Sequence, residues 1–394
     1  MGTSASPAVS AAQQAAQQQQ INVMNRQLIL QTGVSVRRQL PPQTVNPAQN
    51  PVIQFNAQNF GLLKSFLIPF KATIQNNDPA NTLTLTDFGI SNLFSSVTFR
   101  DLNQYLRINT DQKHLDMRAS VYYGRPFLRT NSLTANRMAN YGDNFATITS
   151  PQTIAPNTTA TINGYLEIPV TMDHANLTGA ILMAATTVNA TVTLTVNPQP
   201  FAAANADTTA AIYSGTTDAV VTSVTVSPYQ MAIDQLPVDS KGNYIIPALD
   251  VSTVYELLSS QSVGQIVGGV ENPYPYAPFR KFLTTIMIYD NNTGAANGRQ
   301  TGQDINYFAL RAANAYEFWK VDPITQASFA KRAMGDDLPP GCYLFDYRSM
   351  PINTISYGNV NLFTNPSVAT APSMTLYQED LYEPNSVMQA SSVS

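Results

Sequence analysis

Asp234 to Ser260 reads DQLPVDSKGNYIIPALDVSTVYELLSS, and the reading of this stretch decides the fold. It starts at the end of an alternating run and passes a turn signal at Asp239-Ser-Lys-Gly-Asn243. Thr253-x-x-Glu256 then fits a capping box. Val251, Val254, Tyr255 and Leu258 repeat at i, i+3, i+4, i+7, so the spacing predicts a short helix. Long strand-rich halves flank it. The stretch is therefore expected to connect two β domains, the competing reading being a helix inside one large β domain.

Before the connector, Phe66, Ile68, Phe70, Ala72 and Ile74 alternate in FLIPFKATI and are expected to face inward. Further alternation marks Thr82–Phe88, Ser95–Asp101, Tyr165–Val170, Ala190–Val196 and Val221–Val226. One helical interruption is expected at Leu177–Ala184. After the connector, strands are expected in Phe282–Asn292, Cys342–Arg348, Asn359–Asn365 and Met374–Tyr382. Many short strands with Asn, Gly and Pro turns predict an all-β chain of antiparallel sandwiches or barrels.

The halves echo each other in order. Lys64-Ser-Phe-Leu returns as Lys281-Phe-Leu, and Gly164-Tyr-Leu as Gly341-Cys-Tyr-Leu. Val196-Asn-Pro198 returns as Thr364-Asn-Pro366, and Pro228-Tyr-Gln230 as Leu376-Tyr-Gln378. The spacing between partners shrinks steadily, as expected of a duplication with longer loops in its first copy.

The 394 residues suffice for two domains, and 44% hydrophobic content suffices for a sizeable core. Charged residues are 12%, against roughly 25% in ordinary chains. Such a surface suits packing against copies of itself, although secreted β proteins share it. A net charge of −4 argues against a general nucleic-acid binder. One cysteine, Cys342, excludes an intrachain disulfide framework and is compatible with a reducing cytosol. No hydrophobic signal run begins the chain, and Ala175–Ala206, free of charge, is broken by Thr, Asn and Pro.

Residues 1–31 are rich in Ala and Gln and favour helix, with Ile21, Met24 and Leu28 on one face. Pro41, Pro42, Pro47 and Pro51 then predict an extended arm. No Asp or Glu precedes Asp78, whereas Arg26, Arg37, Arg38, Lys64 and Lys71 are basic. This segment is expected to meet phosphate groups, or else to be a solvated tail.

Catalytic patterns are missing. His114 and His174 stand at no ligand spacing, and Gly264-x-x-x-Gly268-Gly269 lacks the Lys of a phosphate loop. Asp336-Asp337 and Glu379-Asp380 are the carboxylate pairs a glycosidase would need, and both are expected to be solvated surface. Asn272-Pro-Tyr-Pro-Tyr-Ala-Pro-Phe279 reads as a rigid lead into the next strand, with its aromatics as packing. Trp319 is the only tryptophan, which counts against a lectin. No cofactor and no metal are expected.

Asp234-Gln-Leu-Pro-Val238, Gly242-Asn-Tyr-Ile-Ile-Pro247 and Asp250-Val-Ser-Thr-Val-Tyr255 resemble the inter-barrel segment of tectivirus major capsid proteins. Leu85-Thr-Asp-Phe-Gly89 with Asn92-Leu93, Leu177-Thr-Gly-Ala180, Ala211-Ile-Tyr213, Asp304-Ile-Asn-Tyr307 and Tyr357-Gly-Asn-Val360 follow in the family's order. The resemblance spans about Gln27 to Tyr382. It departs before Gln27, in Tyr123–Tyr141, in Ala295–Thr301 and after Tyr382.

The resemblance implies a double jelly roll: two eight-stranded barrels in one chain, with an N-terminal helical arm and a short inter-barrel helix. The expected division is 1–60 for the helix and basic arm, 61–238 for the first barrel, 239–264 for the connector and 265–394 for the second barrel and tail. It further implies a homotrimer of pseudo-hexagonal outline, tiling with neighbouring trimers into an icosahedral shell over an internal membrane. Minor vertex and cementing proteins are implied partners, sequence-specific nucleic-acid binding is not, and assembly is expected in a bacterial host's cytoplasm. Arg26, Arg37 and Arg38 are expected on the inner face, against anionic headgroups. The rivals are a secreted or surface β-sandwich adhesin or glycan-binding protein and a glycoside hydrolase.

Overall fold

The structure is a computed structural model. It describes residues 11–123, 151–172, 177–183, 188–204, 209–245, 255–263, 266–289, 304–312, 316–335, 338–339, 341–367 and 374–382.

After helix α1 (Ala11–Thr32) the chain forms β1 (Val34–Gln39), β2 (Gln43–Val45), β3 (Val52–Asn56), β4 (Leu62–Asn76) and β5 (Leu83–Leu85). β6 (Phe94–Arg100), β7 (Leu106–Thr110), helix α2 (Gln112–Tyr123), β8 (Thr153–Ile154), β9 (Thr159–Pro169) and β10 (Ile181–Leu182) follow. β11 (Thr191–Val196), β12 (Phe201–Ala203), β13 (Tyr213–Gly215), β14 (Ala219–Val226) and β15 (Tyr229–Asp234) complete the first half. The second half holds β16 (Tyr255–Val263), β17 (Asn272–Pro275), β18 (Arg280–Tyr289), β19 (Ile305–Ala312) and β20 (Glu317–Val321). Helix α3 (Pro323–Met334), β21 (Cys342–Asp346), β22 (Ile352–Asn353), β23 (Val360–Pro366) and β24 (Met374–Tyr382) close it.

One wiring rule generates both halves. In the second, β16, β17, β18, β19, β20, β21, β23 and β24 take positions one to eight. Their sheets run 1-8-3-6 (β16-β24-β18-β21) and 2-7-4-5 (β17-β23-β19-β20). In the first, position one is split into β1 and β2 and position eight into β15 and β14. Positions two to seven are β3, β4, β6, β7, β9 and β11. The sheets again run 1-8-3-6 and 2-7-4-5. This is the jelly-roll order, so the chain is a double jelly roll.

Alternation builds each core. β4 buries Phe66, Ile68, Phe70, Ala72 and Ile74, as its sequence predicts. Phe66 meets Phe55 at 5.8 Å and Phe99 at 5.9 Å between ring centres. The second core is more aromatic, with Phe308 on Tyr343 and Phe345, and Trp319 stacked on Phe345 at 5.5 Å. Tyr274 and Tyr276 are buried in it, so the Tyr-Pro run is packing.

The barrels join edge to edge. β7 of the first pairs in parallel with β16 of the second at Leu258↔Ile108 and Ser259↔Asn109. A 9-stranded sheet thereby crosses both barrels.

Four expectations need correction. The helix expected over Val251–Leu258 is, in its described part, strand: Tyr255–Val263 pairs along its whole length with β24. Residues 246–254 lie outside the described residues. A full ladder of sheet hydrogen bonds outweighs a few tenths of a kcal/mol per residue of helix preference. At Leu177–Ala184, a turn around Gly179 leads into β10, which pairs with β4. Residues 34–56, expected as an arm outside the barrel, supply strand positions one and two of the first jelly roll. The prolines sit between these strands, where a missing N–H costs little. Finally, α2 and α3 interrupt the β pattern unannounced. The signal for α3 was present: Asp322 caps Ile324 and Thr325, Pro323 opens the first turn, and Gly335 closes the helix at φ 73°.

Candidate functional site

Among the described residues no group of His, Cys, Asp and Glu is placed to hold a metal. His174 and Asp336-Asp337 lie outside the described residues. His114 is fully buried in α2. Its Nδ1 lies 2.9 Å from Thr110 Oγ1, and its ring 5.1 Å from that of Tyr377. Burial pushes its pKa down to about 4, against Glu379 and Asp111, which favour the cation. It is therefore neutral at physiological pH and far from solvent.

Glu379 and Asp380 correct the expectation of a solvated pair: both are sealed in β24. Adjacent strand positions turn them to opposite faces, so they cannot converge on a glycosidic bond. Arg118 Nε donates to Glu379 Oε1 at 2.8 Å, and Thr284 Oγ1 donates to Oε2 at 3.0 Å. Arg280 Nη1 donates to Asp380 Oδ2 at 2.8 Å. Burial raises the Asp380 carboxyl to about 6, with Arg280 opposing the rise.

These carboxylates belong to the seam between the barrels. α2, which leaves the first barrel, lies on the outer face of the second barrel's sheet. Met117 and Val121 pack there with Ile286, Ile288, Leu344 and Tyr377. Tyr377 OH donates to Asp111 Oδ2 at 2.6 Å, and Tyr105 stacks on Tyr382 at 6.4 Å. An apolar patch thus carries the burial, while the Arg118–Glu379 pair fixes the docking angle. A buried ion pair adds little net stability but tolerates no other register. The sequence signal for this seam was faint: two acids within an otherwise apolar strand, and no marker on Arg118.

The three arginines expected on one inner face are not brought together. Arg37 and Arg38 are neighbours on β1, so they point to opposite faces. Arg38 sits 3.9 Å over the Phe60 ring and 4.0 Å from Asp234. Arg26 is half-buried on α1. That helix is anchored by Ile29, packed on Leu62, Leu177 and Ile233, while Ile21, Val23, Met24 and Leu30 are exposed. No helix among the described residues is long and apolar enough to cross a membrane.

Comparison with known proteins places this architecture. Residues 3–236 match the family described as P3 major capsid protein N-terminal, and residues 252–394 match P3 major capsid protein C-terminal. The Major capsid protein P3 of Enterobacteria phage PRD1 is 35% identical over 364 residues, 91% of this chain and 90% of that protein. The crystal structure of the STIV MCP superposes with a TM-score of 0.61 at 8% identity, covering 89% of this chain and 98% of that one. The major capsid protein P2 from Bacteriophage PM2 gives 0.51 at 6% identity, covering 89% and 98%. At such identities the last two speak for the fold alone.

Proposed function

Since the chain belongs to the P3 major capsid protein family and is a structural protein of a capsid shell rather than an enzyme, we propose that it works as a homotrimer. Its capsomers, pseudo-hexagonal in outline, tile an icosahedral shell over an internal membrane. The observation that carries this reading is the repeated wiring: one chain presents two barrels built alike and joined side by side. Three such chains in a closed ring offer six similar walls to their neighbours. Sedimentation of the purified chain tests it. Three times 42.9 kDa is expected, and a monomer at high concentration contradicts it.

The shell implies further contacts. Neighbouring trimers and minor vertex and cementing proteins are the proposed partners, and a bacterial cytoplasm the proposed place of assembly. The N-terminal segment is the proposed membrane contact, through the exposed apolar residues of α1 and the charges of Arg26 and Arg37, with Arg38 turned to the opposite face of β1 at Phe60 and Asp234. Each cation near an anionic surface contributes about 1 kcal/mol. Removing residues 1–31 should leave trimers intact and weaken flotation with phosphatidylserine vesicles at low salt. Unchanged flotation would remove the membrane role.

The barrels' limits are proposed to be about 34–234 and 255–382.

A further inference from the structure

Each barrel carries a helix of 12 residues after its fifth strand, α2 in the first and α3 in the second. One aspartate precedes each, and its carboxylate accepts from backbone N–H groups of the first turn: Asp111 from His114, Asp322 from Ile324 and Thr325. The strands leading in share their register. Ile108 faces Phe99 with a bulge before the Arg100↔Leu106 pair, and Trp319 faces Leu310 with a bulge before the Arg311↔Glu317 pair. The helices therefore correspond residue by residue. Leu115, turned to its own core, matches Gln326, which bonds its own barrel at Leu344 O. Met117, Arg118 and Val121, which face the other barrel, match Ser328, Phe329 and Arg332.

The two helices differ in what covers them. Arg118 is 3% exposed beneath the second barrel, whereas Phe329 is 56% exposed and Ile324 71%. The covered face of α2 has an uncovered counterpart on α3.

The receiving surface is repeated as well. In the second barrel Tyr377 pairs with Ile286 and Glu379 with Thr284, followed by a bulge before Asp380↔Phe282. In the first, Tyr229 pairs with Leu67 and Met231 with Ser65, followed by the same bulge before Ala232↔Leu63. Ile286 and Ile288 thus correspond to Leu67 and Pro69, and Glu379 to Met231. α2 covers the first set. The second set is open: Leu67, Pro69 and Tyr165 line a hollow of about 750 Å³. A second hollow, about 1070 Å³, opens between β20 and α3 beside Trp319, Phe329, Arg332 and Met350. The sheet edges obey the same relation. β7 and β16 pair within the chain, while their counterparts β20 and β1 are terminal strands of their sheets.

We propose that the outer face of α3 docks on the Leu67–Pro69–Met231 face of a second copy of this chain, repeating between chains the contact α2 makes within one. The occupant is a second copy because its first barrel offers the register and bulge that α2 uses on the second barrel. Phe329 on Met231 takes the place of Arg118 on Glu379, an apolar pair standing where the chain uses an ionic one. The contact joins two different faces head to tail, and so generates a ring rather than a closed dimer. The inference rests on the homotrimer reading and names its interface.

Phe329→Arg, Met231→Glu and the double variant test it, beside the unaltered chain in sedimentation. Phe329→Arg places an unpaired charge in an apolar contact, and association should weaken at least about tenfold. Adding Met231→Glu recreates the ionic pair and should restore the trimer. Far-UV circular dichroism confirms that each variant is folded. A Phe329→Arg chain that stays trimeric overturns the interface, and so does a double variant that stays dissociated. A monomeric unaltered chain instead overturns the trimer reading, so the two failures are distinct.

Discussion

Arg118 and Glu379 lie 261 residues apart in sequence and 2.8 Å apart in space, both closed off from solvent. The pair ties a helix of the first barrel to the eighth strand of the second, and it makes the two barrels one body.

Removing one partner should therefore be costly. Arg118→Ala leaves the buried Glu379 carboxylate without its cation while Thr284 still donates to it, and a loss of about 3–5 kcal/mol is expected in chemical denaturation. Arg118→Met with Glu379→Leu should cost far less, because neither charge is then stranded. A loss in the double variant equal to the sum of the losses from changing Arg118 alone and Glu379 alone would show that the pair is not coupled.

His114 sets an acid-sensitive step. Its folded pKa of about 4 lies below its ordinary 6.5, so the unfolded chain binds the extra proton between these values. That contribution is present above pH 6.5 and is lost as pH falls toward 4, with a span of about 3 kcal/mol. Asp380, raised to about 6, works the other way over part of the window, because the folded chain takes up its proton first. His114→Asn should flatten the fall of melting temperature between pH 6.5 and 4.5. Identical slopes in the two proteins would rule His114 out as the cause.

Ile29 holds α1 on the first barrel with Leu62, Leu177 and Ile233. Ile29→Asp should release the helix and make residues 11–33 sensitive to limited proteolysis, with the barrel melting almost unchanged. Gly33 marks the same docking, since a Cβ there would meet Ile233 at 2.3 Å. Continued protection of the segment would show that other contacts hold it.

The N-cap of α3 is a smaller test. Asp322 accepts from Ile324 and Thr325 at 3.0 Å each, and Asp322→Ala should lose about 1 kcal/mol. A loss restricted to hydrogen-exchange protection of α3 would indicate local fraying instead of global destabilisation.

Much of the fold was legible in the residues. The four echoes between halves fall on or next to corresponding strands: Lys64 and Lys281 in position three, Gly164 in position six and Gly341 just before it, Asn197 just after position seven and Asn365 within it, Tyr229 and Tyr377 in position eight. Gly164 and Tyr229 even keep their register, since Phe70 pairs with Gly164 as Tyr289 N donates to Gly341 O. The Lys64–Lys281 echo is two residues out, because similar letters recur within one alternating strand. Tyr255–Leu258 misled because a short apolar run satisfies both helical and strand periods, and only the distant β24 decides between them. The seam was illegible for the same reason. Arg118 looks like any surface arginine until a strand 261 residues away supplies Glu379.

The central claim is that three copies close into a ring of six like barrels. Two-dimensional class averages of the purified protein by electron cryo-microscopy test it directly. The account predicts a three-fold particle with a six-lobed outline, in which within-chain and between-chain contacts look alike. Isolated two-lobed particles, or pairs related by a two-fold axis, would contradict it.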